Sequence, residues 1–265
     1  MIFTIIISCI ICFLITLAFL CNRVKGRRNL PKCRRALLVI AHPDDETMFF
    51  SPTLHGLRLC GSTVYLLCIS MGNSAGLGVK RKYELARAFT IHGLSLDNLT
   101  VLNYDTLQDG FVQWPKEELA RVILRHMQVL DIDLVITFDE NGVSAHPNHI
   151  GCFRALQYLY TNGLVPAGVQ VFVLESVPVW RKYSIILDVV ISSFYSTFLY
   201  ISSPFLYITS WRAMCAHRSQ LVWFRYLYMF FSRYVLINTL KRIHALPKHP
   251  LPKKKTDEMP PTYKS

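Results

Sequence analysis

The residues best suited to catalysis lie in the segment 36–46, Ala-Leu-Leu-Val-Ile-Ala-His-Pro-Asp-Asp-Glu. His42 offers an imidazole nitrogen and Asp45 a carboxylate oxygen, and a proline stiffens the turn between them, so together they form half of a zinc site. Asp44 and Glu46 flank this pair. A carboxylate beside a metal-activated water is the general base that a hydrolase needs. The alternative is that these acidic residues only cap the next helix, where negative charge is favourable.

A second segment repeats this organisation after the apolar run Leu134–Phe138, with a polar loop followed by His-Pro-Asn-His at 146–149. On its own this pair of histidines is more typical of a solvated loop. Ligands of open parallel sheets bind at the carboxyl ends of the strands. Two such ends can bring His149 to His42 and Asp45. Three protein ligands with a fourth position left for water or substrate is the catalytic type of zinc site.

The segments around these residues predict an α/β fold. Leu37–Ile40 is short, apolar and bounded by a proline, which favours a strand buried on both faces. Further strands are predicted at 63–70, 99–104 and 169–174, and helices at 46–59, 81–89, 119–130 and 149–160. Strands that alternate with helices predict a Rossmann-like, mostly parallel sheet with helices on both faces. The glycine-rich loop 72–78 lacks the spacing of a phosphate-binding loop, so we expect neither a nucleotide nor a nucleic acid as ligand.

The N-terminus has the pattern of a membrane anchor. Residues 1–21 carry no charge and are long enough for one transmembrane helix, and the linker 22–35 that follows is rich in Lys and Arg. Because positive charge marks the cytosolic side of a span, this pattern predicts a single-pass protein with its catalytic domain, 36–240, in the cytosol. A cleaved signal peptide is the alternative, but 1–21 lacks a basic start and a small-residue cleavage site.

The C-terminal third is aromatic and basic. Residues 189–209 are uncharged but interrupted by serines and a proline, which favours edge strands or an interfacial segment over a second span. Residues 211–234 predict a helix with Trp, Tyr and Arg at the level of the lipid headgroups. Residues 241–265, rich in Lys and Pro, predict a disordered tail. The net charge of +12 therefore comes largely from the linker 22–35 and the tail 241–265, and it indicates contact with anionic lipid.

The two histidine segments resemble the zinc-dependent N-deacetylases of the PIG-L/LmbE family, over residues 36–175. The segments 217–225 and 231–234 resemble the eukaryotic branch, which deacetylates N-acetylglucosaminyl-phosphatidylinositol in the synthesis of glycosylphosphatidylinositol anchors. The resemblance implies a glycolipid substrate and an endoplasmic reticulum membrane location. The oligomeric state stays open.

The resemblance also implies roles for individual residues. Zinc is expected on His42, Asp45 and His149, with Asp44 as general base and a protonated His146 facing the developing oxyanion. Further contacts with substrate or ligands are expected from Arg81, Asp139 and His217. Ser144 departs from the family, because bacterial relatives often carry a tyrosine there.

Three alternatives remain open. They are a deacetylase of another N-acetylglucosamine conjugate, an inactive membrane adaptor with the same fold, and a lumenal or secreted enzyme whose residues 1–21 are removed. Substrate comparison, metal analysis and glycosylation of Asn98 respectively distinguish them.

Overall fold

The computed structural model describes residues 30–243, together with residues 4, 6–8, 11–12 and 15–16. Most of the predicted transmembrane helix and linker, and the predicted tail after residue 243, lie outside the described residues. Within the part of the chain that is described, no helix is both long and apolar enough to cross a membrane.

Five parallel strands form the centre of the fold, in the order β3-β2-β1-β4-β5. They are β1 (Arg35–Ile40), β2 (Thr63–Cys68), β3 (Leu99–Val101), β4 (Leu134–Phe138) and β5 (Gln170–Leu174). All of β4, and all of β1 after its first residue, is buried. Apolar side chains that alternate between the two faces of a strand must be covered on both sides. The predicted α/β fold with a mostly parallel sheet is thereby confirmed.

Two antiparallel strands extend this sheet at one edge. β6 (Phe198–Ile201) is the outermost strand, and β7 (Ile237–Arg242) lies between it and β5. Within the segment 189–209, for which edge strands or an interfacial segment were expected, only Phe198–Ile201 forms an edge strand, and the residues up to Tyr195 and from Pro204 onward are helical. β7 includes Lys241 and Arg242, the first residues of the segment predicted to be a tail.

Helices occupy the connections between the strands. Those before β5 are α1 (Asp45–Met48), α2 (Ser51–Leu59), α3 (Gly78–Ile91), α4 (Lys116–Val129), α5 (Gly142–Ala145) and α6 (Pro147–Thr161). Those after it are α7 (Val179–Lys182), α8 (Ile185–Tyr195), α9 (Pro204–Ala216), α10 (Trp223–Phe231) and α11 (Arg233–Leu236). Helix α4 packs on α6, and α3 packs on α9. Short 3-10 turns lie at Leu96–Asn98 and Asp105–Leu107.

Two predicted elements have different bounds in the structure. The single helix expected at 46–59 is two helices, because the chain leaves helical geometry at Phe49–Phe50 and Pro52 lies in the first turn of α2. Proline lacks the N–H that would continue the earlier hydrogen-bond ladder, but it is well tolerated in a first turn. The strand expected at 99–104 ends at Val101.

The prediction of one continuous helix at 211–234 is wrong. Helix α9 ends at Ala216, a turn occupies 217–222, and α10 begins at Trp223. The turn is held by a distant residue: the carboxylate of Glu84 on α3 accepts hydrogen bonds from the Ser219 backbone N–H at 2.9 Å and from its hydroxyl at 2.5 Å. Tertiary contacts of this kind override local helix propensity.

Candidate active site

The two histidine segments meet at the carboxyl edge of the sheet. His42 follows β1, and His146 and His149 follow β4, its neighbour. Strand order reverses between β1 and β4, which is where open α/β sheets form their binding crevice. A cavity of about 400 Å³ lies at this point. It is lined by residues from both histidine segments and from the C-terminal third: His42, Asp44, Asp45, Met48, Phe49, Ser74, Arg81, Asp109, Ser144, His146, His149, Lys182, Gln220, Phe224, Arg225 and Tyr228.

The structure brings His42, Asp45 and His149 together. Asp45 is buried, and its Oδ2 accepts hydrogen bonds from the backbone N–H groups of Ala41 at 3.0 Å and His42 at 2.8 Å. Its Oδ1 lies 3.2 Å from His149 Nε2, and its Oδ2 lies 3.8 Å from His42 Nδ1. Burial opposes the charge on this carboxyl, but the two histidines outweigh it and lower the pKa of Asp45.

His146 is also close to this group. Its ring nitrogen lies within 4.8 Å of nitrogens of His42 and His149, so a three-histidine set stands beside the predicted set that contains Asp45. Burial, followed by the charges of His42 and His149, lowers the pKa of His146 to about 4. This direction disfavours the imidazolium form that was expected for His146.

His149 is held by the loop between β4 and α6. Its Nδ1 lies 3.0 Å from the carbonyl oxygen of Gly142, and its ring stacks on Phe138 at 4.0 Å between centroids. Gly142 has a φ of +58°, and a Cβ there would lie 2.9 Å from the Cβ of His149. A carbonyl acceptor on one ring nitrogen fixes the tautomer and leaves Nε2 free as a ligand.

Asp139 supports the same loop through hydrogen bonds that do not involve the histidines. Its carboxylate accepts hydrogen bonds from the backbone N–H groups of Asn141 and Gly142, both at 3.1 Å, and from the backbone and hydroxyl of Ser176. The direct contact expected between Asp139 and a histidine is thus replaced by an indirect one. Asp139 positions Gly142, and Gly142 accepts from His149.

Asp44 points its carboxylate into the cavity from a strained backbone. Its φ of 121° is unusual for a residue other than glycine, and such strain is typical of functional sites. Asp44 Oδ2 lies 3.0 Å from Arg225 Nη1, and Oδ1 lies 3.7 Å from Arg81 Nη2. Its backbone N–H donates to Glu46 at 3.1 Å. These contacts fix a buried carboxylate at the edge of the histidine cluster.

Arg81 lines the cavity, but most of its guanidinium N–H groups donate hydrogen bonds to other groups of the protein. It donates to the carbonyl oxygens of Pro43 at 2.9 Å and Gly72 at 3.0 Å, and to Asp109 at 3.3 Å. Both Arg81 and Glu84 are buried, and neither is part of a surface ion pair. Arg81 ties the loop after β1 to the loop after β2.

His217 does not line the cavity. It is fully buried behind α1, where its Nε2 lies 2.7 Å from Glu46 Oε1. Burial opposes protonation of this ring, but Glu46 outweighs it and raises the pKa of His217. Gln220, three residues further on, lines the cavity instead.

The pattern of the sequence did not predict the two residues that hold His42, nor Arg225 and Lys182, which line the cavity from the C-terminal third. Asp109 Oδ1 lies 3.0 Å from His42 Nε2, and Asn148 Oδ1 lies 3.0 Å from the same nitrogen. Asp109 outweighs the effect of burial and raises the pKa of His42, while its own pKa is lowered. Asn148 lies within the second histidine segment, which was a usable signal. Asp109 precedes a glycine in a loop, a pattern that indicates only a turn.

The donor set fits a divalent metal ion. Imidazole nitrogens and a carboxylate oxygen are the ligands that zinc prefers in catalytic sites, and here they converge in a buried corner with a second carboxylate, Asp44, beside them. A cluster of candidate metal ligands at the carboxyl edge of a Rossmann-like sheet, next to a candidate base, is the arrangement expected of a metal-dependent hydrolase.

Comparison with known proteins narrows this class. Residues 37–160 match the family model described as PIG-L: GlcNAc-PI de-N-acetylase. The N-acetylglucosaminyl-phosphatidylinositol de-N-acetylase of Bos taurus is 43% identical over 208 residues, which cover 78% of this chain and 82% of the relative. A probable enzyme of the same name from Dictyostelium discoideum is 34% identical over 79% of this chain and 93% of its own length. The chain therefore belongs to the PIG-L family of de-N-acetylases.

The fold is also similar to that of deacetylases of known structure. The N,N'-diacetylchitobiose deacetylase of Pyrococcus horikoshii superposes with a TM-score of 0.61 at 17% identity, over 84% of this chain and 88% of that one. At this identity the likeness concerns the fold alone.

Proposed function

We propose that this protein removes the N-acetyl group of N-acetylglucosaminyl-phosphatidylinositol by metal-dependent amide hydrolysis, an early step in building glycosylphosphatidylinositol anchors. The observation that carries the proposal is the convergence of His42, Asp45 and His149 beside Asp44, in a chain that is 43% identical to a relative bearing that name.

His42, Asp45 and His149 would hold the metal ion, most simply zinc. When bound, such an ion acidifies water and polarises a carbonyl group. Asn148 and Asp109 hold Nε2 of His42, and the carbonyl oxygen of Gly142 holds Nδ1 of His149. The other nitrogen of each ring is therefore the one that would bind the ion.

Asp44 acts as the proton carrier. Its carboxylate faces the cavity and accepts a proton from the attacking water, then returns it to the nitrogen of the leaving amine. Arg225 and Arg81 keep the carboxylate in place through both transfers. A neutral His146 still carries one N–H and can donate it to the oxygen of the acetyl group as negative charge develops there.

The same proposal includes the membrane. The uncharged segment 1–21 followed by a basic linker supports one transmembrane helix with the catalytic domain on the cytosolic side. A lipid substrate and relatives of this name are consistent with the endoplasmic reticulum membrane.

The test is release of acetate from N-acetylglucosaminyl-phosphatidylinositol by the purified full chain in detergent micelles. We expect turnover that a chelator abolishes and zinc restores. Asp44→Asn should lose about a hundredfold to ten-thousandfold in kcat while keeping its zinc. A zinc-loaded wild-type protein that releases no acetate from this substrate would refute the proposed function.

A further inference from the structure

A second cavity adjoins the catalytic one and is almost entirely apolar. It has a volume of about 520 Å³ and is lined by Tyr183, Trp223, Phe224, Leu227, Tyr228 and Phe231. Phe224 and Tyr228 line both cavities, so the two are adjacent. We call this second cavity the apolar groove.

The groove is open to its surroundings. Trp223 is 75% exposed, and Phe224, Leu227 and Phe231 are each about half exposed. Contiguous apolar surface of this size is costly in water and marks a binding site on a soluble domain. Because α10 supplies most of it and also carries Arg225, the groove is rigidly connected to the carboxylate of Asp44.

A lysine stands where the two cavities meet. Lys182, at the end of α7, lines the catalytic cavity, and its Nζ lies 5.7 Å from the ring centre of Tyr228, which belongs to both cavities. The same Nζ lies 5.8 Å from Tyr183 and 6.0 Å from Tyr234. Aromatic rings hold an ammonium group in place without neutralising it.

Lys182 differs from the other cations of the catalytic cavity. Arg81 pairs with Asp44 and Asp109, and Arg225 pairs with Asp44. Even the neighbouring Arg181 is neutralised, by Asp188. No carboxylate lies within ion-pair distance of Lys182 among the described residues, and burial lowers its pKa without an acidic group to oppose the shift. A partly buried, unpaired ammonium group favours an anionic ligand.

We propose that Lys182 binds the phosphodiester of the glycolipid substrate and that the apolar groove takes the adjoining acyl chain. Along the two cavities the metal ligands and Asp44 come first, then Lys182, and then the apolar groove. Along such a lipid the sugar comes first, then the phosphate, and then the acyl chain, so the two orders match. This assignment rests on the proposed function and adds the means by which a lipid-linked sugar is selected over a free one.

The test compares three substrates: the diacyl lipid, N-acetylglucosaminyl-inositol phosphate without acyl chains, and N-acetylglucosaminyl-inositol without phosphate. For Lys182→Gln, we expect kcat/KM to fall about tenfold or more further with both phosphate-bearing substrates than with the phosphate-free one, the loss typical of a charged hydrogen bond. Lys182→Arg should restore most of the difference, because it keeps the charge. Lys116→Gln is the matched control, since Lys116 is exposed, lies over Tyr158 and lines neither cavity.

The groove is tested with Leu227→Gln. Here the fall in kcat/KM should be confined to the diacyl substrate, because the other two have no acyl chain to bury. Leu59→Gln replaces an equally exposed leucine outside the groove and serves as control.

Equal losses on all three substrates, or wild-type rates for Lys182→Gln on the phosphate-bearing pair, would overturn the assignment while leaving the deacetylase proposal intact. Absence of turnover by the wild-type protein would instead refute the proposed function, and this assignment with it.

Discussion

The loops at the carboxyl edge of the sheet and the C-terminal helices build the same cavity in opposite ways. The sheet edge contributes short, buried polar side chains, such as Asp45 and His149, that are held by backbone groups only a few residues away. The C-terminal third contributes long side chains from helices with exposed aromatic faces, such as Arg225 and Lys182. The first region therefore has the rigidity that chemistry requires, and the second has the surface that a lipid substrate requires.

The largest effect should come from the metal ligands of the sheet edge. Asp45→Asn and His149→Gln should each lose zinc and lower kcat/KM about a thousandfold or more, because the ion supplies several kcal/mol of transition-state stabilisation. His146→Gln should lose rate but retain one zinc ion per chain. Metal content by atomic emission separates these variants. If His146→Gln loses zinc and Asp45→Asn keeps it, the three-histidine set is the correct one.

The next effect should come from Asp109, which supports the same cluster from outside. Asp109→Asn removes the charge 3.0 Å from His42 Nε2, and loss of such a supporting contact costs about 10-fold to 100-fold in metal affinity or activity. Titration with a competing chelator measures the affinity. Asp105→Asn, at an exposed position in the preceding 3-10 turn, should match the wild type.

Arg225 tests the link between the two regions. Arg225→Gln removes the partner 3.0 Å from Asp44, and loss of a charged hydrogen bond should lower kcat about tenfold. Zinc content should stay the same, because Arg225 touches no predicted metal ligand. Arg218→Gln, in the turn before α10, is the control. A loss of zinc in Arg225→Gln would show that the two regions are less separate than their contacts indicate.

Gly72 tests the rigidity of the sheet edge itself, because Arg81 ties the loop after β2 to the loop after β1 there. It has a φ of +71°, and a Cβ there would lie 2.5 Å from the Arg81 guanidinium. Gly76 has the same φ with nothing within 4 Å of a Cβ, so Gly76→Ala should cost only the backbone strain, about 1 kcal/mol. Gly72→Ala should cost clearly more in urea unfolding. Equal costs for the two variants would mean that the loop yields and that Arg81 is not fixed by it.

The smallest effect is expected from the buried pair of His217 and Glu46, and it concerns pH. Because the pKa of His217 is raised in the folded state, the pair stabilises the protein below pH about 6.5, and that contribution is lost as pH rises through the raised pKa. His217→Gln should flatten this decline in the free energy of unfolding. His126→Gln should keep the decline, because the His126 ring hydrogen-bonds to the Val122 carbonyl oxygen of its own helix rather than to a carboxylate. An unchanged slope in His217→Gln would assign the decline to other groups.

The sequence by itself determined the central sheet and the residues at its carboxyl edge. Apolar runs bounded by proline and polar residues specify buried strands, and a histidine placed directly after such a strand must lie at the edge where ligands bind. The proximity of His42, Asp45 and His149 was predictable in this way, because their positions follow from local pattern and from one rule of topology.

Only the tertiary structure decided which side chains complete the cavity. Asp109 lies in a loop with no local signal, and it reaches His42 because two strand ends are adjacent in space. His217 was expected to contact the substrate, but its ring contacts Glu46 instead. Glu84 holds the turn at Ser219 that follows the end of α9. Contacts between residues far apart in sequence carry free energies as large as helix propensity, and periodicity does not record them.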